Sequence, residues 1–440
     1  MKFRISVLIL FATIFCSGCS KIPKDEYNLN TEHKRKVILQ EKKTYNFEKD
    51  QLYVSNEFEG ARLIDFYPNK DNTYTAVFEP ENLTAYTPWF AFKIWSPREQ
   101  NVTINVISRT VDFHLLRTIS PKVRDLLEKF RPMISNDRLT WDYMNPIDLN
   151  KKNPKYIFTL HMQVNQSPRW VSAQELITST DYQQWTKKLE EHPFITDSII
   201  GSSVEGRPIR EVDITESKGD PEMLIITGRQ HPSEVAGFFS LKAFVEKISG
   251  NSALAVAFRK RFKLIIFPLV NPDGVDDGFG RCNANGINLN RDWKHFMQPE
   301  TRAVKDRVED LLRRHSGKVR FFIDFHSAEK DLFYVIPTDK LLKKDFSSEK
   351  RRKREKGNRL IHTWIEKLQS KFPDREFEIS YQSSREKAGA TDDWMFLDND
   401  VPALTWETGF LTDRNTIKGI ADTASVELTK LLLEQEETEK

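Results

Sequence analysis

Met223-Leu224-Ile225-Ile226-Thr227-Gly228-Arg229-Gln230-His231-Pro232-Ser233-Glu234 is the stretch from which the rest of the chain can be read. Its first six residues form a short apolar run closed by glycine, the pattern of a buried strand. His231 and Glu234 follow, and then Phe238, Phe239, Leu241, Phe244 and Val245 recur at helical spacing. A strand end that turns into a helix lets ligands three residues apart lie over one another and face one ion. Two later segments repeat the theme. Phe321-Phe322-Ile323-Asp324-Phe325 is a second buried strand with His326 leaving its carboxyl end, and Ala403-Leu404-Thr405-Trp406 is a third with Glu407 at its tip. Open α/β sheets gather ligands at the carboxyl ends of their strands, so these four side chains are predicted to converge. Two imidazoles and a carboxylate are the donor set of a catalytic zinc with one open position. Glu407 adds a carboxylate able to act on water. A lone His-x-x-Glu reads as a solvated helix start, but three polar strand ends in succession make that coincidence poor.

A further apolar strand over 264–270 and the turn Asn271-Pro272-Asp273-Gly274 lead to Gly280-Arg281-Cys282-Asn283-Ala284-Asn285-Gly286-Ile287-Asn288-Leu289-Asn290-Arg291-Asp292-Trp293. Two arginines and an asparagine on a glycine-rich loop suit recognition of a carboxylate, because guanidinium binds that group through a planar fork. A free α-carboxylate held beside a zinc site is the arrangement of an exopeptidase. Surface ion pairing is the plainer use of the same arginines.

These four segments resemble the M14 metallocarboxypeptidases, the zinc carboxypeptidase family. Gly280-Arg281-x-Asn283-Ala284-x-Gly286 leading into Leu289-Asn290-Arg291 is similar to the regulatory carboxypeptidase branch. His231-Pro232-Ser233-Glu234 is more like the branch of the cytosolic carboxypeptidases and their bacterial relatives, and Gly201-Ser202-Ser203-Val204-Glu205-Gly206-Arg207-Pro208 resembles the entry into the catalytic domain. The resemblance runs from about 175 to 435. It implies that His231, Glu234 and His326 hold one Zn2+ per chain, that Glu407 is the general base and then acid, and that Arg281 steadies the oxyanion. It further implies that Asn290 and Arg291 grip the substrate's terminal carboxylate. Where the family usually has an aspartate behind the first zinc histidine, this chain has Asn288, an acceptor without the charge. Tyr381 is the candidate for the family's mobile tyrosine, or else a packed aromatic. In Thr391-Asp392-Asp393-Trp394, Asp392 stands where enzymes that remove basic residues read the lysine or arginine head; an ordinary helix start accounts for the same residues.

The amino terminus reads as an address. Lys2 and Arg4 precede an apolar run over 5–15, then Ser17 and Gly18 before Cys19, which is the form of a bacterial secretory signal. Cys19 sits as in a lipobox, although Cys16 stands where leucine is usual, so lipidation of Cys19 and a membrane anchor on the envelope face, periplasmic or extracellular, are expected. The run falls well short of the roughly 20 residues a membrane span needs. With Cys16 removed and Cys19 acylated, Cys282 is the one remaining cysteine of three, so no internal disulfide is expected and Cys282 is read as a packing residue.

The expected organisation is a lipoprotein signal at 1–18, a polar tether at 19–45, a small β-sandwich at 46–168 and the catalytic domain at 175–435. Alternation in Trp89-Phe90-Ala91-Phe92-Lys93-Ile94-Trp95, Val102-Thr103-Ile104-Asn105-Val106-Ile107 and Tyr156-Ile157-Phe158-Thr159-Leu160-His161-Met162 supports strands in the third piece, with an amphipathic stretch at 123–130. The resemblance implies that the catalytic piece is α/β, with a mixed central sheet, flanking helices and a carboxypeptidase-like fold. A net charge of +3 on 440 residues offers no general steering field. The run Lys350-Arg351-Arg352-Lys353-Arg354 reads as a solvated helix face, or as a contact with anionic lipid or cell-wall polymer. Nucleic acid is not an expected partner. The function expected is hydrolysis of the C-terminal bond of peptides or peptidoglycan stem peptides, with a possible basic preference. A cell-wall peptide amidase and a non-catalytic peptide-binding lipoprotein are the alternatives.

Overall fold

The computed structural model describes residues 34–82, 89–110, 128–144, 147–148, 157–315, 317–343, 345–381 and 389–434. The signal at 1–18, Cys19, the tether up to residue 33, most of the 123–130 stretch, and Tyr156 lie outside the described residues. Among the described residues no helix is long and apolar enough to cross a membrane. The chain divides into two compact units, one of Lys34–Thr178 with Asp273–Gly286, the other of Ser179–Pro272 with Ile287–Lys440.

The N-terminal unit is built of β1 (Thr44–Phe47), β2 (Leu52–Ser55), β3 (Asp65–Pro68), β4 (Tyr74–Val77), β5 (Ala91–Trp95), β6 (Gln100–Ile107), β7 (Met133–Ser135), β8 (Asp142–Tyr143), β9 (Ile147–Asp148), β10 (Phe158–Val164) and β11 (Arg169–Ser172). They form a six-stranded sheet in the order β1-β2-β5-β11-β7-β8 and a five-stranded sheet in the order β3-β4-β6-β10-β9. Alternate side chains of each sheet turn inward, and aromatic pairs such as Phe66 with Phe92 and Phe90 with Phe158 join the two faces. Residues 34–43, at the end of the expected tether, lie along this unit: Arg35 N–H donates to the Asn285 carbonyl (2.8 Å) and Ile38 N–H to that of Glu81 (2.6 Å). Gln40 donates to the carbonyls of Ala61 and Asp277. A charged sequence reads as solvated, but its backbone groups find partners here.

Segment 273–286 is the less expected member. Gly60 N–H donates to the Asp276 carbonyl at 2.7 Å. Gly278 has φ of +69°, and any side chain on it would strike the backbone of Ala61 and Gly60, so only glycine permits this approach.

The second unit carries β12 (Ile195–Ser202), β13 (Pro208–Ile214), β14 (Glu222–Gly228), β15 (Phe262–Phe267), β16 (Val319–Ala328), β17 (Leu332–Val335), β18 (Glu378–Ser380) and β19 (Ala403–Gly409). They form one mixed sheet in the order β12-β13-β15-β14-β16-β19-β17-β18. Its centre, β15-β14-β16-β19, is parallel. Such strands are covered on both faces, which is why Leu224, Ile225 and Ile226 read as an unbroken apolar run and are all buried. Helix Val235–Ser249 packs on β16 and against helix Arg414–Glu434. In helix Ser348–Lys371, Arg351, Arg352 and Lys353 of the basic run are exposed. Arg354 instead turns inward, donating to Asp400 (2.5 Å) and the Leu397 carbonyl (2.6 Å).

Candidate metal centre and active site

The site is built where β14 stops and its neighbour runs on. The last pairing of β14 with β16 is Gly228 with Phe325. Beyond it β16 and β19 continue, pairing His326 with Glu407, Ser327 with Thr408 and Ala328 with Gly409. His326 and Glu407 are therefore inside their strands, each two residues before the observed end, rather than just past the ends the sequence suggests. The chain leaving β14 turns at Arg229, a non-glycine residue at φ +54°, a left-handed conformation that surroundings must hold in place. Its guanidinium does so by donating to the Pro232 carbonyl at 2.8 Å. This turn carries His231 and ends on Glu234, the residue before helix Val235–Ser249, whose side chain makes no cap bond to the helix.

The carboxylate of Glu234 is turned instead between the two imidazoles. Its Oε1 lies 2.7 Å from His231 Nδ1, and its Oε2 lies 2.6 Å from His326 Nδ1 and accepts Ser327 N–H at 3.1 Å. One donor atom from each of the three residues falls within 4.8 Å of the others. Burial alone would raise the carboxyl pKa of Glu234, but the His231 and His326 charges bring it well below the usual range. For His326, burial opposes the charge while Asp324 and then Glu234 favour it, and the net direction is upward.

Each far nitrogen is also held. His231 Nε2 lies 3.0 Å from Asn288 Oδ1. His326 Nε2 lies 2.8 Å from Asp324 Oδ2. Because each Nε2 faces an oxygen acceptor, each ring can keep a proton there and offer Nδ1 to a metal, the tautomer a metal ligand requires. Asp324 is 0% exposed and also accepts from Thr227 Oγ1 and Gln230 Nε2, both at 2.7 Å. Gln230 is oriented in turn by Trp293 Nε1, which donates to its Oε1 at 2.7 Å. The two-nitrogen, one-oxygen donor set with backed imidazoles fits a zinc ion with an open fourth position; nothing in it requires a softer or larger metal.

Helix Val235–Ser249 reaches the site through Gly237. A Cβ there would stand 2.6 Å from the His326 carbonyl oxygen and 2.8 Å from its carbon. Gly237 N–H donates to Ser327 Oγ at 2.7 Å.

The other expected site residues are distributed as follows. Asn290 is buried, its Nδ2 3.2 Å from His326 Nε2 and its Oδ1 accepting both the N–H and the hydroxyl of Thr391. The oxygen end of its amide is thus engaged, while Nδ2 lies beside a ring nitrogen whose other neighbour is the Asp324 carboxylate. Arg291 is half-buried and donates to the Asn290 carbonyl at 2.7 Å. Asp392 is buried in the single turn Thr391–Asp393, which starts after Ala390 without a side-chain cap. Tyr381 is 52% exposed, with its ring stacked on His362. Arg281 and Cys282 lie on the segment that belongs to the N-terminal unit. Cys282 is buried, and burial, followed by the charge of Glu81, pushes its thiol up.

Asp324 was legible but carries no assignment from the sequence. It sits two residues before His326, hence on the same face of the strand, and a carboxylate between Ile323 and Phe325 is costly without a dedicated partner. Gln230, Thr227 and Gly237 give no comparable signal in isolation.

Two histidines and a glutamate gathered at the carboxyl side of a mixed α/β sheet make a candidate metal centre. The profile of the zinc carboxypeptidase family, Peptidase_M14, matches residues 182–424, more than half of the chain, and the chain belongs to that family. It is 23% identical over 299 residues to human cytosolic carboxypeptidase 6, covering 63% of this chain and 58% of that protein. It is 24% identical over 289 residues to cytosolic carboxypeptidase 6 of Caenorhabditis elegans, covering 63% and 62%. The chain thus spans less than two thirds of these curated relatives. Among solved structures it is similar to a metallo-carboxypeptidase of Burkholderia cenocepacia, with a TM-score of 0.69 at 18% identity, covering 89% of this chain and 100% of that one. It is also similar to a metallo-carboxypeptidase of Pseudomonas aeruginosa in complex with (2-guanidinoethylmercapto)succinic acid, with a TM-score of 0.67 at 16% identity, covering 86% and 98%. These likenesses show a carboxypeptidase-like fold.

Proposed function

We propose that this protein is an active zinc carboxypeptidase that removes the C-terminal residue of peptides, peptidoglycan stem peptides among them, on the envelope of a bacterium. The observation that carries the reading is the convergence of His231, Glu234 and His326, with Glu407 paired to His326 on the adjoining strand. His231, Glu234 and His326 would hold the zinc, which would supply Lewis acidity toward water and the scissile carbonyl. Glu407 takes a proton from the attacking water and passes it to the leaving amine. Arg281 stabilises the charge that develops on the carbonyl oxygen, a contribution of roughly 3 kcal/mol for one such donor. Arg291 and Asn290 bind the terminal carboxylate, and Tyr381 closes on the substrate. Asp392 reads a basic terminal side chain, which its burial supports, because a buried carboxylate selects strongly for a cationic partner. Lipidation at Cys19 anchors the enzyme to the membrane.

The test is hydrolysis by the zinc-loaded full chain of peptides ending in Lys, Arg, Phe, Glu or meso-diaminopimelate, with Glu407→Gln as control. The expected result is release of a basic residue by the parent chain, and a variant that retains zinc but loses at least about a thousandfold in kcat. Silence on every substrate from a folded, zinc-loaded chain would sink the carboxypeptidase reading, leaving the binding lipoprotein or the amidase.

A further inference from the structure

Glu81 and Asn82 are consecutive buried residues of the N-terminal unit, and Glu81 is 0% exposed. The Glu81 carboxylate accepts three successive backbone N–H groups: Gly280 on Oε2 (2.9 Å), then Arg281 (2.8 Å) and Cys282 (2.6 Å) on Oε1. Consecutive N–H groups aimed at one point form an anion cradle, and here the chain's own carboxylate fills it. Asn82 Nδ2 donates to the Gly286 carbonyl at 3.0 Å, and it lies 3.7 Å from Cys282 Sγ. Two adjacent residues therefore hold both ends of the 280–286 turn from a distance of some 200 positions in the chain. The chemistry is selective. Three converging donors need an acceptor-only group, which an ionised carboxylate is and an amide is not. Charge-assisted bonds of this kind are short and directional, so they fix the backbone rather than merely fill space.

We propose that Glu81 is a positioning residue for Arg281: by binding the N–H groups of 280–282 it fixes the backbone from which the Arg281 guanidinium acts on the developing oxyanion. This rests on the role given to Arg281 above. A donor that acts only in the transition state must be held in place beforehand, and small displacements are costly. Glu81 itself touches no substrate; its effect passes through Arg281. Loosening the turn should therefore lower kcat and leave KM nearly unchanged.

The experiment has two arms in the zinc-loaded full chain. In the first, Glu81→Gln is made alone and in an Arg281→Ala background, and kcat and KM are measured on the best peptide substrate. We expect kcat to fall by about tenfold or more in the single variant, KM to move less than about twofold, and the loss to disappear when Arg281 is already absent. An unchanged kcat, or the same fold loss in both backgrounds, would overturn the proposal. In the second arm Cys16→Ser and Cys19→Ser leave Cys282 as the single thiol, and its rate of labelling by an aromatic disulfide is followed. Glu81→Gln should speed labelling by about tenfold or more, because the turn that buries Cys282 opens locally; unchanged protection counts against it. Should Glu81→Gln not fold, Glu81→Asp retains the charge but retracts it by one methylene, and the same directions are expected with smaller effects. If the parent chain cleaves no peptide, the peptidase reading fails, and the labelling arm still decides whether Glu81 orders the turn.

Discussion

The two histidines of the metal centre face the same carboxylate with the same nitrogen, yet their backing differs. His326 rests on Asp324, a buried anion that also gathers Thr227 and Gln230. His231 rests on Asn288, a neutral amide oxygen at 3.0 Å. The geometry of support is the same on both sides, but only one side supplies charge. The difference separates two things an outer partner does, orienting the ring and raising its basicity as a ligand. Asn288 orients; Asp324 does both.

Changes on each side test that division. Asp324→Asn should have the largest effect, with zinc affinity, measured by competition with a chelator, falling by up to about a hundredfold and the melting temperature falling too, since three donors lose an anionic acceptor. Gly237→Ala comes next. It strikes the His326 backbone and leaves His231 untouched, so we expect about 1–3 kcal/mol of destabilisation by urea unfolding together with weaker zinc binding. A stable variant with normal affinity would mean that helix Val235–Ser249 does not set the position of His326. The smallest effect belongs to Asn288→Asp, which restores the missing charge and should tighten zinc by up to about tenfold in the same chelator assay. If it changes nothing, or weakens binding, charge behind His231 is not what limits this site.

The central strands and the grouping of His231, Glu234 and His326 were legible in the sequence because parallel strands buried on both faces leave unbroken apolar runs, in and beyond which polar residues stand out. Leu224 to Ile226 and Phe321 to Phe325 illustrate this. The membership of 273–286 was not legible. Its signals, a Pro-Asp-Gly turn and a glycine-rich loop, describe local backbone, whereas its placement depends on Glu81, about 200 residues earlier, and on the absence of a side chain at Gly278. Asp324 falls between these cases: its position in an apolar strand is a signal, but its partner Gln230 is a residue type that announces nothing. The packed course of 34–43 was hidden for a related reason, since a charged composition says nothing about backbone partners such as Asn285 and Glu81.

The passage of 273–286 into the N-terminal unit also bears on modularity. The two units are interlaced along the chain, because the second is interrupted at Pro272 and resumes at Ile287. Neither can be inherited, exchanged or excised as a continuous block. A cut near residue 178 would separate the 280–282 turn from Glu81, leaving three N–H groups without the carboxylate that gathers them. Recombination in this lineage would therefore be expected to keep the two units together, and variation at Glu81 to track variation in the glycine-rich turn.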